Sequence, residues 1–174
     1  LVVTDTYPIT ASIMMGFLKP MVDNVNIVSA PSLLENHGIS VSETRLPHAS
    51  DYAFEIGVKV TTDQETHRIA GTLFGKRDAR ICGIDATRVD VKPDGFMLVY
   101  RNEDRPLMIG RVGTIIGESG VNIANLTLGR DERGGHALTV LNLDAPLCDD
   151  IMKKIVSIPG VIEARLVSLD ENAL

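Results

Sequence analysis

A chain of 174 residues that is 44% hydrophobic can bury a real core, as one domain or two small ones, which excludes a disordered chain. A net charge of −6, 4% aromatics and no tryptophan count against a nucleic-acid surface, which needs clustered Lys and Arg, often beside aromatic platforms. The two cysteines, Cys82 and Cys148, lack C-x-x-C spacing, suggest neither a disulfide framework nor a zinc site, and fit a reducing, cytosolic compartment. No apolar run approaches the roughly 18 residues that span a bilayer, and no basic segment precedes an apolar stretch at the start, so no membrane partner is expected. The chain opens abruptly at Leu1, as a piece of a longer protein would.

In chain order, "PITASIMMGFLKPM" (8–21) predicts a helix stopped near Pro20, and "APSLLENHG" (30–38) a second, shorter helix closed by Gly38. A β-rich stretch follows. Phe54, Ile56, Val58 and Val60 alternate with small or polar residues, "THRIAGTLFG" comes after a short "DQE" connection, and "ARICGID" and "TRVDV" form a hairpin pattern. Pro and Gly in "KPDG" (92–95) punctuate the chain and mark an expected boundary between domains at 1–94 and 95–174.

The second half has a regular pattern. "FMLVY" (96–100) is an apolar run of strand length, followed by a helix from Pro106 to about Gly117. Met108, Val112, Ile115 and Ile116 make its apolar stripe, Pro106 suits its first turn, and Gly117 and Gly120 stop it. "VNIANLTLGR" and "HALTVLNLD" are strands around the "RDERGG" loop; a helix starts near Asp149 and ends at "PG" (159–160), and "VIEARLVSL" is a closing strand. The order βαββαβ implies an α+β, ferredoxin-like split βαβ with two helices on one face of an antiparallel sheet.

Dinucleotide, Walker A, G-x-S-x-G and H-E-x-x-H motifs are all absent, so no catalytic residue is assigned. His37, His48, His67 and His136 are isolated in sequence and receive no role, and no metal site is expected. What stands out is Asp104 just before the third helix and Asn122 just after it. A helix of about eleven residues is roughly 16 Å long, so these two lie near opposite ends of the unit. Two copies packed about a two-fold axis would bring one chain's Asp104 against the other's Asn122. Backbone N–H groups at a helix start receive a carboxylate, an Asp accepts an ammonium, and Asn offers both a donor and an acceptor. The competing reading is a helix cap at Asp104 and a turn at Asn122. Gly110 and Gly113 inside the helix point to close approach of a backbone or partner.

"NEDRPLMIGRVGTIIGESGVNIA" resembles the ACT domain family of small-molecule sensors. "DTYPITASIMMGFLKP", "VNIVSAPSLLENHGISV" and "IAGTLFGKRDARICGIDATRVDVKPDGFMLVYRNEDRP" resemble the intervening domain and its junction with ACT in the long-form D-3-phosphoglycerate dehydrogenases. The resemblance covers essentially the whole chain. It implies a mixed α/β intervening domain followed by an ACT domain, as the regulatory half of a cytoplasmic NAD-dependent enzyme of serine biosynthesis. This half would hold no cofactor of its own. It further implies self-association through ACT domains, with L-serine between them held by Asn102 and Asp104 of one chain and Asn122 of the other. A second, anion-binding site would fall at Arg80 and Lys92, where a solvated surface is an equal alternative. One departure stands out: Leu107 occupies the place of a glycine that lets ligand approach the backbone. A purely structural assembly module, and the regulatory portion of an iron–sulfur L-serine dehydratase, are the alternative readings.

Overall fold

The computed structural model describes residues 5–46, 51–75 and 77–169. Two compact units divide the chain, Leu1–Ala49 and Ser50–Leu174. In the first, α1 (Tyr7–Leu18) and α2 (Ala30–Asn36) share a small core: Leu18, Ala30 and Leu34 are buried together, and Met14, Phe17, Val22 and Ile39 pack around them. Pro8 lies in the first turn of α1, where its missing N–H has no intrahelical partner to lose. The Glu43 carboxylate accepts the hydroxyls of Thr6 and Thr10, fastening that segment to the start of α1.

The second unit contains two four-stranded antiparallel sheets. The first is a meander, β1 (Ile56–Thr61), β2 (Thr66–Phe74), β3 (Asp78–Ile84) and β4 (Thr87–Val91), in spatial order β1-β2-β3-β4. The second comprises β5 (Phe96–Glu103), β6 (Ile123–Arg130), β7 (His136–Leu143) and β8 (Val161–Ser168), in order β6-β7-β5-β8. Helices α3 (Met108–Glu118) and α4 (Asp149–Val156) complete a βαββαβ sequence whose strand order is that of the split βαβ arrangement. The α+β class is therefore as the sequence implies. The boundary expected at 94/95 falls on the connection between β4 and β5, inside the second unit.

Strand alternation decides which residues meet which layer. Leu98 and Tyr100 of β5 and Leu141 and Leu143 of β7 face Met108, Val112 and Ile116 of α3 and Ile155 of α4. Met97, Leu138 and Val140 face the other way and share a core with Val89 and Val91 of β4. Covered on both sides, β7 is buried from Ala137 to Leu143, which is why its sequence is nearly continuous in apolar residues rather than alternating. Polar side chains lock the junction as well: Thr127 donates to the Asp90 carbonyl at 2.8 Å, and the Asn142 amide donates to the Lys92 carbonyl at 3.1 Å.

Helix α3 begins two residues later than the sequence suggests, because Leu107 has a left-handed backbone (φ 73°) that cannot belong to the helical run, leaving Pro106 in the preceding turn. At the other end Gly120 (φ 79°) donates to the Gly117 carbonyl and Val121 to that of Ile116, the double bond pattern by which a left-handed glycine terminates a helix. Among the described residues no helix is long and apolar enough to cross a membrane.

Gly129 of β6 lies close against the backbone of β4. A Cβ there would stand 2.4 Å from the Arg88 carbonyl oxygen and 2.6 Å from Thr87 Cγ2. Backbone cannot yield as a side-chain tip can, so Gly129→Ala is expected to destabilise the fold by about 1–3 kcal/mol, the usual range for overpacking. Urea denaturation tests this; an unchanged midpoint would show that β4 and β6 do not approach so closely.

Candidate functional site

The residues picked out by sequence gather at the ends of β5 and α3. Asn102, the last buried position of β5, sits beside a register shift in the β5–β8 pairing. Its amide N–H donates to the Glu103 carbonyl at 2.6 Å, whereas its Oδ1 is buried with no partner among the described residues. An acceptor left this way is costly.

Asp104 follows directly. Its N–H donates to the Gly135 carbonyl at 2.9 Å, and its carboxylate accepts the Gly134 N–H at 3.0 Å and the Arg130 guanidinium at 3.2 Å. The Gly134 N–H foremost, and Arg130 with it, hold the carboxyl below its ordinary pKa. The carboxylate therefore ties the 131–135 loop to the end of β5; α3 has no side-chain cap, so the capping alternative does not describe Asp104. Leu107, at the N-cap of α3, is 69% exposed.

Asn122 lies beyond the far end of α3. Its side-chain amide donates to the Asp144 carboxylate at 2.8 Å and its backbone carbonyl accepts the Asp144 N–H at 3.1 Å. Gly135 and Asp144 bracket β7, so Asp104 and Asn122 are separated by the length of that strand, roughly 30 Å at about 3.4 Å per residue. One chain does not bring them together. Gly110 and Gly113 have no neighbouring atom within 4 Å of a would-be Cβ, so the close approach inferred from them is not made within this chain.

Arg80 and Lys92 belong to the first sheet and its exit. Arg80 contacts Asp78 at 2.9 Å and Asp90 at 3.2 Å and lies over the Phe74 ring at 5.7 Å, with Asp78 chiefly raising its pKa. Lys92 pairs with Asp94 at 2.9 Å. An anion arriving there meets cations that already have carboxylate partners. Of the histidines, His37 bonds the Leu33 carbonyl through Nδ1, His136 lies 3.8 Å from Asp131, and His48 falls outside the described residues. Burial raises the pKa of the Cys82 thiol, while Cys148 is exposed; neither forms a disulfide.

His67 is different, and sequence reading passed over it. It contacts Asp85 at 3.2 Å and Glu65 at 3.3 Å, and the hydrogen bond to Asp85 foremost raises its pKa. Burial acts to raise the pKa of Asp85, but the Arg68 N–H, His67 and Arg101 outweigh it and the net direction is down. Arg101 bonds Asp85 on one side and Glu163 at 3.0 Å on the other, so a chain of charges runs from β2 through the β3–β4 turn to β5 and β8. The available signal was Arg101, which falls in register with Met97 and Val99 on the inward face of β5. Nothing in local spacing pairs residues so far apart in the chain.

Residues 1–85 match the model of the D-3-phosphoglycerate dehydrogenase intervening domain. The intervening-domain match takes in α1, α2 and β1–β3 and ends at Asp85, where the charge chain crosses toward the second sheet. Similarity to D-3-phosphoglycerate dehydrogenases continues well past it. The protein of that name from Bacillus subtilis is 37% identical over 166 residues, 95% of this chain and 32% of its own length. Those from Archaeoglobus fulgidus and Synechocystis are 32% and 31% identical, again over 95% of this chain and 32% and 30% of theirs. The chain thus spans about a third of the length of the curated relatives it matches.

Two outcomes follow from the geometry around α3. A leucine held left-handed carries about 1–2 kcal/mol of steric cost, and an exposed side chain gives little packing in return. Leu107→Gly should therefore raise stability by about 0.5–1 kcal/mol after the greater unfolded-state entropy of glycine is subtracted; a lower urea midpoint would mean that Leu107 makes contacts that outweigh its strain. The depressed pKa of Asp104 contributes stability above the ordinary aspartate value, and the contribution vanishes as pH falls through the folded-state value. Asp104→Ala should thus lower Tm at neutral pH, with the gap to wild type closing in acid. A gap that stays constant across the titration would rule out that account.

Proposed function

We propose that this chain is the regulatory and self-associating region of a D-3-phosphoglycerate dehydrogenase, with an intervening domain at 1–94 and an ACT regulatory domain at 95–174. It binds L-serine or a similar small amino acid at a site shared between two copies. Asn102 and Asp104 of one copy and Asn122 of the other hold the ligand. The observation that carries this reading is the separation of Asp104 from Asn122 along the full length of β7. A two-fold arrangement closes that distance by setting opposite ends of two sheets side by side. The orphaned Oδ1 of Asn102 supports it, since an ammonium or hydroxyl from the ligand would supply the missing donor. In this reading dehydrogenation, with NAD as hydride acceptor, belongs to the remaining two thirds of the relatives' length, in the cytoplasm, and serine reports the level of the end product.

The open faces of Gly110 and Gly113 on α3 suit a second copy, because nothing of this chain occupies them. Leu107 narrows the approach to the start of α3, so selectivity should depend on it.

Calorimetry and complementation in trans test the shared site. Native protein should release heat with L-serine, and Asp104→Ala and Asn122→Ala chains should each lose it. Mixing and re-annealing the two variants should restore part of the binding, because a mixed dimer rebuilds one intact site. Failure of native protein to bind while its dimer is intact removes the ligand part of the proposal. Binding by each variant alone removes the shared geometry.

A further inference from the structure

A cleft of about 350 Å³ opens in the Ser50–Leu174 unit between β1–β3 of the first sheet and the strands β5, β7 and β8 of the second. That is the lower end of the range of small-ligand pockets, about 300–1,000 Å³. Its walls are Val58, Val60, Ile69 and Ile84 on one side and Val99 and Leu138 on the other. Branched aliphatic groups make up these two walls, so a hydroxyl or amide placed between them would lose its water without gaining a partner.

The rim carries both signs in balance. Arg101 and Arg165 face Glu65, Asp85 and Glu163, with His67 between Glu65 and Asp85, while the Arg68 guanidinium turns away to Glu55. Such a rim has no surplus of positive charge for a phosphate or another multiply charged anion, which sets it apart from a basic patch. It does have unused capacity. Arg101 presents five N–H donors, of which the named bonds use one toward Glu163 and one toward Asp85. Asp85 is fully occupied by the Arg68 N–H, His67 and Arg101, so it acts as a buttress that fixes the guanidinium in place. Arg165 is 76% exposed and reaches Glu163 only at 3.9 Å, leaving both it and the second oxygen of Glu163 available.

Arg101 and Glu163 are cross-strand partners on β5 and β8. Their head groups meet at 3.0 Å through Arg101 Nε and Glu163 Oε1, which sets the remaining Arg101 donors beside the second Glu163 oxygen, where the adjacent carboxylate and ammonium of one α-carbon can meet both. We infer that this cleft is a second small-molecule site, which takes a zwitterionic α-amino acid with a branched aliphatic side chain. The ligand carboxylate bonds Arg101 and Arg165, its ammonium bonds Glu163, and its side chain enters between Ile69, Ile84, Val99 and Leu138. The site shares no residue with the serine site proposed above and does not require a second copy of the chain.

Amide NMR of the full chain titrated with L-leucine is the direct test. Shifts should appear at Val58, Ile84 and Val99 and saturate. 4-Methylpentanoate, which lacks the ammonium, should bind at least tenfold more weakly, and L-serine should leave these amides unmoved. Arg101→Gln should weaken leucine binding tenfold or more. Because that change also disturbs Asp85, Ile69→Lys serves as a second variant: Ile69 is already partly exposed, and a charge there should abolish binding while the spectrum stays folded. Asp104→Ala should bind leucine as wild type does, which separates this site from the serine site. The inference is overturned if L-leucine moves none of these amides up to about 10 mM, weaker than any useful effector affinity. It is equally overturned if binding persists unchanged in both cleft variants.

Discussion

Burial of β7 on both faces is the constraint on which the second unit depends. With α3 and α4 on one side and β4 on the other, the strand has no solvent face, and each inward position must serve one of two cores. That requirement explains the close approach at Gly129, where the second sheet has to leave room for the backbone of β4. It also explains why the first sheet, though drawn largely from the stretch matched by the intervening-domain family, shares a compact unit with the βαββαβ module. Helices and the meander cover both faces of β7, whereas β6 at the sheet's edge keeps Leu126 and Leu128 exposed.

Charge placement follows the same geometry. Arg80, Lys92, Asp104 and Arg101 each have an opposite charge nearby, and most of these pairs are partly solvated, where their energetic value is small. Their main effect is orientation. Asp104 fixes the loop after β6, and Asp85 fixes Arg101 by accepting from two other groups at once. A side chain held in this way loses less freedom on meeting a ligand than one that waves in solvent.

Periodicity and punctuation were enough to lay out the chain from β1 to β8, because alternation, apolar stripes and glycine stops are local signals. The start of α3 was not legible. Pro106 has the right chemistry for a first helical turn, but the left-handed backbone of Leu107 displaces the helix, and nothing in a leucine announces that conformation. The role of Asp104 was legible only in part: its position before a helix suggests a cap, whereas its real partners, Arg130 at the end of β6 and Gly134 in the loop after it, lie 26 and 30 residues on. The cleft lay beyond sequence reading altogether. Its rim joins residues 65–68, 85, 101 and 163–165, a set assembled only when two sheets stack. Spacing rules carry information along one element and fail across that distance.

The order β6-β7-β5-β8 also has a kinetic consequence. β5 occupies an interior place in its sheet, yet both strands that flank it come later in the chain, and β8 lies some sixty residues downstream. During synthesis the apolar run "FMLVY" therefore emerges with two unpaired edges and must wait for partners. Pairing of this kind is slow because the intervening loop has to be closed before any contact rewards it. Early shelter for the run can come from β3 and β4, which are already made and whose Ile81, Ile84, Val89 and Val91 share a core with Met97 in the finished fold. The meander would then act as an internal holdase for the nascent second sheet, a role that fades once β7 and β8 have arrived.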